Sequence, residues 1–395
     1  GDSSQLLYRD ILKAGCYINN RKAVKFISEK GPSIINKFLI ERVGVEFSKN
    51  DDGSYQLTRE AAHSVRRILH AKDKTGHVII RTLLNAANEN KNIRIMKSSA
   101  ALDLITNCHH SLDNQQRYEE KRVIGVYCLD RESGEVLSCF AGAVIIATGG
   151  IGNLYQHTSN PSSATGDGIA MAYRAGCEIV NAEYVQFHPT TLFHRDIGNF
   201  LISESLRGEG ALLRNCHGES FMERYNKELK DLAPRDEVSR AIYNEMEITD
   251  SDCVYLDARN IKKIDLKERF PKIFETCYNL GIDIRTDLIP VVPAAHYFCG
   301  GVKVNLKGET SISGLYAVGE AACTGVHGAN RLASVSLLEG VVFGTYASEH
   351  ICKTFQAVDE KLLLTIPDWI FPRRGENFDS ILIGSDMITI PVSYT

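Results

Sequence analysis

The residues best suited to chemistry fall between Pro293 and Gly340. They are a His296-Tyr297 pair, a double glycine at Gly300-Gly301, a Gly319-Glu320 pair closing a short apolar run, and an arginine in Gly328-Ala329-Asn330-Arg331. Residues 315–318 read as a parallel strand that delivers Glu320 at its carboxyl end, the edge where open α/β sheets hold ligands. A carboxylate there suits a ribose or ribitol hydroxyl, and a helix starting near Leu332 would offer its N-terminus to an anionic ring edge. An ordinary buried strand, turn and helix fits the same residues, since short motifs recur by chance. Two more glycine turns have this character. Thr148-Gly149-Gly150 follows an apolar run at 143–147, which reads as a strand buried on both faces. Thr165-Gly166-Asp167-Gly168 opens a helix through Ala175, whose free amides favour an anion or electron-rich ring and which Asp167 also caps.

The elements that must position these groups follow from periodicity. Residues 6–31 read as helical until Gly31-Pro32 ends the run, with a second helix at 33–43. Asp51-Asp52-Gly53 is a turn. Residues 57–76 are dense in ionisable groups, including Arg59, Glu60, His63, Arg66, Arg67 and His70, and composition alone makes them a solvated loop before a helix at 77–90. Residues 93–96, 102–106, 123–130 and 136–150 are strand-like, with a hairpin loop at 131–135. Helices are expected at 257–272 and 274–280, and beyond Ile351 a proline-punctuated tail has no helix of its own.

A chain of 395 residues with 44% hydrophobic and 24% charged residues has the make-up of a globular enzyme, and its length suggests two domains. The net charge of −4 argues against nucleic acid or an acidic membrane surface as partner. No apolar run approaches the ~20 residues of a spanning helix. Eleven scattered cysteines without a Cys-x-x-Cys read as free thiols in a reducing compartment. Cys108-His109-His110 lacks a second ligand pair, so no metal is expected. The polar start without Met looks like an internal one.

Eight motifs, VIIATGG, TGDGIAMAYRAG, QFHPT, SESLRGEGALL, LAPRDEVSRAI, PAAHYFCGG, GLYAVGE and GANRLAS, stand in the order and spacing of the succinate dehydrogenase/fumarate reductase flavoprotein family. The chain resembles that family over roughly residues 15–350, and LTREAAHSVRRILHAKDKTG resembles its L-aspartate oxidase branch. The resemblance implies an α/β FAD-binding domain of the fumarate reductase type, at 1–180 and 298–353, with an inserted α+β capping domain at 181–297 and a tail at 354–395. It implies non-covalent FAD and oxidation of L-aspartate to iminoaspartate, with oxygen or fumarate as acceptor. That is the first step of de novo NAD biosynthesis, with quinolinate synthase downstream, in the cytoplasm or, in a plant or alga, a plastid. The family's G-x-G-x-x-G segment and C-terminal helical domain have no counterpart in these residues. Ser203, Val335 and Ala61-Ala62 replace the usual threonine, asparagine and double glycine. A fumarate reductase or succinate oxidase, and a flavin-free relative without activity, are the other functions compatible with the residues.

The chemistry then assigns expected roles. Hydride loss from Cα needs two carboxylates held in a dry cleft with the C–H near flavin N5. Arg331 is the expected bidentate clamp, and His188 and His296 the expected donors: a lone histidine is more often a satisfied buried imidazole, and their places in the family motifs reverse that reading. Gln186, Ser203 and Glu204 complete the expected substrate set. Arg235 is expected in proton transfer, for which a guanidinium needs a neighbouring carboxylate, Asp236 or Glu209. Glu60 is expected beside the substrate amine. For FAD the resemblance selects Ala100, Ala147, Thr148, Gly149, Asp167, Glu320, Ser336 and Leu337.

Overall fold

A computed structural model describes residues 1–369 apart from 61, 73, 199 and 263. Ala61 and the tail beyond Trp369 therefore lie outside the described residues. Among those described, no helix is long and apolar enough to cross a membrane.

Two long strands carry most of the candidate side chains. Val185–Leu192 and Ile289–Phe298 pair antiparallel in a four-stranded sheet that continues through Val254–Asp257 to Leu212–Arg214. Their register shifts between Ala295 and Tyr297, so His296 is an extra residue on its strand. A bulge of this kind re-aims the side chain. Against the sheet lies the helix Arg235–Thr249, which starts directly after Pro234. An apolar core running from Leu192 to Val291, with Phe221, Ile242 and Leu256 fully buried, fills this part of the molecule.

The expected strand at 315–318 is Leu315–Ala317, paired in parallel with Val144–Ile146. Gly319 (φ +64) turns the chain so that Glu320 follows the strand end. The strand at 144–146 is not buried on both faces as its apolar run suggested: Ile146 is buried, whereas Ile145 is 44% exposed. A separate antiparallel sheet joins Ser99–Thr106, Val123–Asp130 and Val136–Phe140. The 20-residue helix Val335–Thr354 packs against Arg21–Ile34, joining two distant segments in one core of Ile11, Val24, Ile27, Leu332 and Phe343.

Several local expectations fail for identifiable reasons. The helix expected over 6–31 breaks into Ser4–Ala14 and Arg21–Ile34, because Cys16 and Tyr17 adopt left-handed φ of 58° and 61° and Asn20 caps the second helix. Gly31-Pro32 does not end that helix. Proline lacks one N–H, and the chain continues as a π-helix over Ile35–Arg42, with the Val43 amide reaching Phe38 O at 2.9 Å. Residues 93–96 are not a strand. Residues 257–272 are not one helix. Asp257 ends a strand, and Asp265 caps a short helix by accepting from the Lys267 and Glu268 amides. The tail does hold a helical turn, Glu360–Leu363, and Leu362, Ile366 and Trp369 pack near Ile105 and Tyr127.

Candidate active site

The loop 330–334 is the meeting point. Arg331 is 8% exposed, donates through Nη2 to His296 Nε2 at 2.8 Å, and lays its guanidinium over the Tyr297 ring at 4.9 Å. His188 lies across the paired strands, its ring 5.3 Å from that of His296. Gln186 ties Arg235 to this loop. Its Nε2 donates to the Asn330 side chain and to Arg331 O at 2.8 Å, and its Oε1 accepts from Arg235 Nη1 at 3.4 Å. Ser334, in a left-handed conformation (φ +61), donates its hydroxyl to Glu60 Oε2 at 2.8 Å, which brings the ionisable 57–76 segment to the same place. The sequence therefore scattered these side chains over positions 60 to 334, and the fold collects them.

Arg235 heads its helix and donates through Nε to Glu204 Oε2 at 2.9 Å. On the other side of Glu204, Arg207 Nη2 stands 3.4 Å from Oε1. The carboxylate neighbour of Arg235 is thus Glu204. Asp236 instead pairs with Arg240 at 2.8 Å and Glu209 with Arg269 at 3.4 Å, so neither fills the place expected for it. Arg207 was not singled out in the sequence: it follows Glu204 by three residues, a helical spacing that elsewhere marks a surface pair, yet its side chain is fully buried. Ser203 precedes Glu204 in the chain, and its hydroxyl accepts the Ser205 amide at 3.2 Å.

The cations here are guanidiniums, not imidazoliums. Burial, reinforced by Arg235 and other charges, pushes His188 well below its usual pKa, and burial with Arg331 and Arg235 does the same to His296. Both rings are therefore neutral at physiological pH. Glu204 is held below the usual carboxylate range: burial, the largest effect, raises it, and Arg235 and Arg207 together outweigh that. Buried His188 Nε2 and Arg331 Nε have no hydrogen-bond partner among the described residues, which is the state of donors built to meet a ligand.

The residues expected to touch a flavin gather partly. A Cβ on Gly150 would collide with the Glu320 carboxylate, and one on Gly168 with Thr148 Oγ1, so the two glycine turns close on each other around Thr148. Glu320 accepts the Phe298 amide through Oε1 at 2.9 Å, leaving Oε2 for a hydroxyl. Helix Val335–Thr354 has no side-chain cap on its first turn, so the Ser336 and Leu337 amides remain as donors at its positive end. Leu337 is 51% exposed, and Ala147, Thr148 and Asp167 are exposed as well. Ala100 pairs with Leu129 in the antiparallel sheet, on a strand that packs against the helix opened by Asp167. Glu320, the bare helix start and the glycine turns fit the polyol and pyrimidine ends of a flavin. Among the described residues no cluster of three or more His, Cys, Asp or Glu could hold a metal.

Residues 1–337 match the family described as FAD binding domain, which places the fold and its cleft among the FAD flavoproteins. FrdA of the E. coli quinol fumarate reductase superposes with a TM-score of 0.82 at 31% identity, covering 92% of this chain and 63% of that one. The L-aspartate oxidase of Pseudomonas aeruginosa is 47% identical over 97% of this chain and 70% of its own length, and that of Acinetobacter baylyi 46% over 93% and 66%. The chain belongs to the L-aspartate oxidase family. It spans about two thirds of the length of these relatives.

Proposed function

We propose that this chain carries the substrate cleft of an FAD-dependent oxidase that converts L-aspartate to iminoaspartate, with oxygen or fumarate as acceptor. Charge placement supports this reading most directly. Arg235 and Arg331, joined through Gln186, set two guanidiniums at one place, as a dicarboxylate requires, while Arg207 faces Glu204 and Asp231. Glu60, held nearby by Ser334, adds the anion that suits an ammonium and so aspartate. We take residues 1–180 and 298–353 as the flavin unit and 181–297 as the cap.

In this reading the Cα–H bond breaks with its electron pair, a proton leaves the nitrogen, and a C=N bond forms. Bound FAD, held non-covalently, supplies the hydride acceptor. Thr148, Gly149, Glu320 and the Ser336 and Leu337 amides would hold its flavin half. Arg331 grips one carboxylate in a bidentate manner, His188 donates to a carboxylate through Nε2, and Glu60 orients the amine. Arg235 stabilises charge that develops during hydride loss, with Glu204 as the carboxylate that can pass a proton onward. The product imine makes a quinolinate synthase a fitting consumer, in a pathway leading to NAD. Eleven free thiols support a reducing compartment, the cytoplasm or a plastid.

Glu60 tests the substrate. A reductase of neutral-backbone diacids gains nothing from an anion beside its ligand, whereas an amino-acid oxidase does. Glu60→Gln is expected to raise KM for aspartate by about ten- to a hundredfold, the worth of a hydrogen bond to a charged group. Its affinity for fumarate and succinate should change less than about threefold. Equal losses for all three ligands would remove the amine role and favour a fumarate reductase or succinate oxidase. Absence of flavin absorbance in the purified protein would favour a flavin-free relative.

A further inference from the structure

Two histidines facing the same charges are wired differently. His188 Nδ1 accepts the Thr190 amide at 3.2 Å. A backbone N–H can only donate, so the proton of this neutral ring is fixed on Nε2 and the ring is a donor whatever arrives. On His296, Nε2 faces Arg331 Nη2 at 2.8 Å. A guanidinium has donors alone, so this Nε2 accepts. The ring proton then sits on Nδ1 and points at Ser159 Oγ, 2.7 Å away. In that state His296 has no proton for an incoming carboxylate.

Once Arg331 turns to a carboxylate, His296 needs its proton on Nε2 and Nδ1 needs a donor. A serine hydroxyl serves both states, since it accepts and donates. The hydroxyl now donates to Ala295 O at 3.3 Å. That carbonyl still holds the Ser159 amide at 2.9 Å and Thr158 Oγ1 at 3.1 Å when the hydroxyl rotates away. Meanwhile Asn160 Nδ2 donates to His296 O at 3.0 Å and keeps the backbone in place.

We propose that Ser159 is a positioning residue that lets His296 exchange one neutral tautomer for the other, accepting from Arg331 in the free site and donating to a dicarboxylate in the filled one. One proton leaves Nδ1 and one arrives at Nε2, so binding takes up no net proton. The charged and titratable groups facing the ring are Arg331, Arg235 and His188, and with burial they make the imidazolium alternative costly. The inference rests on His296 contacting a substrate carboxylate.

The test is equilibrium binding of malonate, a diacid with a lone methylene and so no CH–CH bond to desaturate, to the flavin-loaded protein between about pH 7 and pH 9, read from flavin absorbance. The parent protein and Ser159→Thr should bind with an affinity independent of pH. Ser159→Ala should bind about tenfold more weakly at the alkaline end. That deficit should hold across the range, because the Nε2-protonated ring still donates but leaves Nδ1 without a donor, and Ser159→Thr, which keeps the hydroxyl, should not show it. Parent-like malonate affinity in Ser159→Ala, or a Ser159→Thr as weak as Ser159→Ala, overturns the proposal. Should that variant lose flavin, Ser159→Cys, whose thiol is a weak donor, replaces it and is read the same way. His296→Gln, run alongside, separates the layers: unchanged malonate affinity there removes the substrate role of His296 itself.

Discussion

Arg235→Lys is expected to lower kcat for aspartate by about a thousandfold while changing KM less than tenfold. The guanidinium makes two directed contacts at once, Nε to Glu204 at 2.9 Å and Nη1 to Gln186 at 3.4 Å. A lysine keeps the charge but is a single point on a flexible stem and cannot span both partners. Carboxylate binding falls mainly to Arg331 and His188, which the change leaves alone, so the loss should appear in turnover. Peroxide formation with aspartate, and fumarate reduction with an artificial donor, both report it. A parallel rise in KM of a thousandfold with kcat intact would make Arg235 a clamp and nothing more. Glu204→Gln should move kcat in the same direction.

Glu339→Leu is expected to destabilise the fold by about 3–5 kcal/mol, the usual cost of removing one partner from a buried polar network. Glu339 is fully buried on the helix Val335–Thr354, where it accepts from Thr324 Oγ1, from His327 Nε2 at 2.8 Å and from Tyr297 OH at 3.1 Å. Leucine would strand the Thr324 hydroxyl and leave Tyr297 OH and His327 Nε2, 3.2 Å apart, with only each other. Glu339→Gln keeps the shape and should lose about 1–2 kcal/mol. Urea unfolding measures both, as a fall in midpoint at constant slope. Because the Tyr297 ring carries Arg331, whatever folded Glu339→Leu remains should also bind dicarboxylates more weakly. A midpoint unchanged by the leucine substitution would show that the cluster contributes nothing to stability.

What could be read from the sequence was the set of side chains with a motif around them. Arg331, His296, His188, Gln186 and Arg235 each stand in a short block whose neighbours announce it, and the fold brings them together. Glu320 after its parallel strand was legible for the same reason. Contacts that join distant positions were not. Ser159 and His296 are 137 residues apart, and nothing near Ser159 marks it as a partner of an imidazole. Glu339 carries no mark in the sequence, because its three donors come from other segments of the chain. Asp236 was a reasonable neighbour for Arg235 by adjacency, but successive residues at a helix start point apart, and Glu204 reaches in from another segment. At the level of elements, local period misled wherever tertiary contacts decided. The break at Gly15 and the continuation past Pro32 are both fixed by packing against a distant segment of the chain.

That packing has a kinetic corollary. The turn at 15–20 is threaded into the segment bearing Arg331: the Asn20 amide bonds Gly325 O at 2.8 Å, and Asn19 Nδ2 bonds Val326 O at 2.7 Å across 307 positions. Gly328 passes so close to the Gly15 carbonyl that no Cβ would fit. Closing so wide a loop is entropically late, and during synthesis residues 15–20 emerge long before the matching residues at 325–328 leave the ribosome. In refolding, ellipticity should therefore return before ligand affinity, with the anion grip assembled as the last act of the chain.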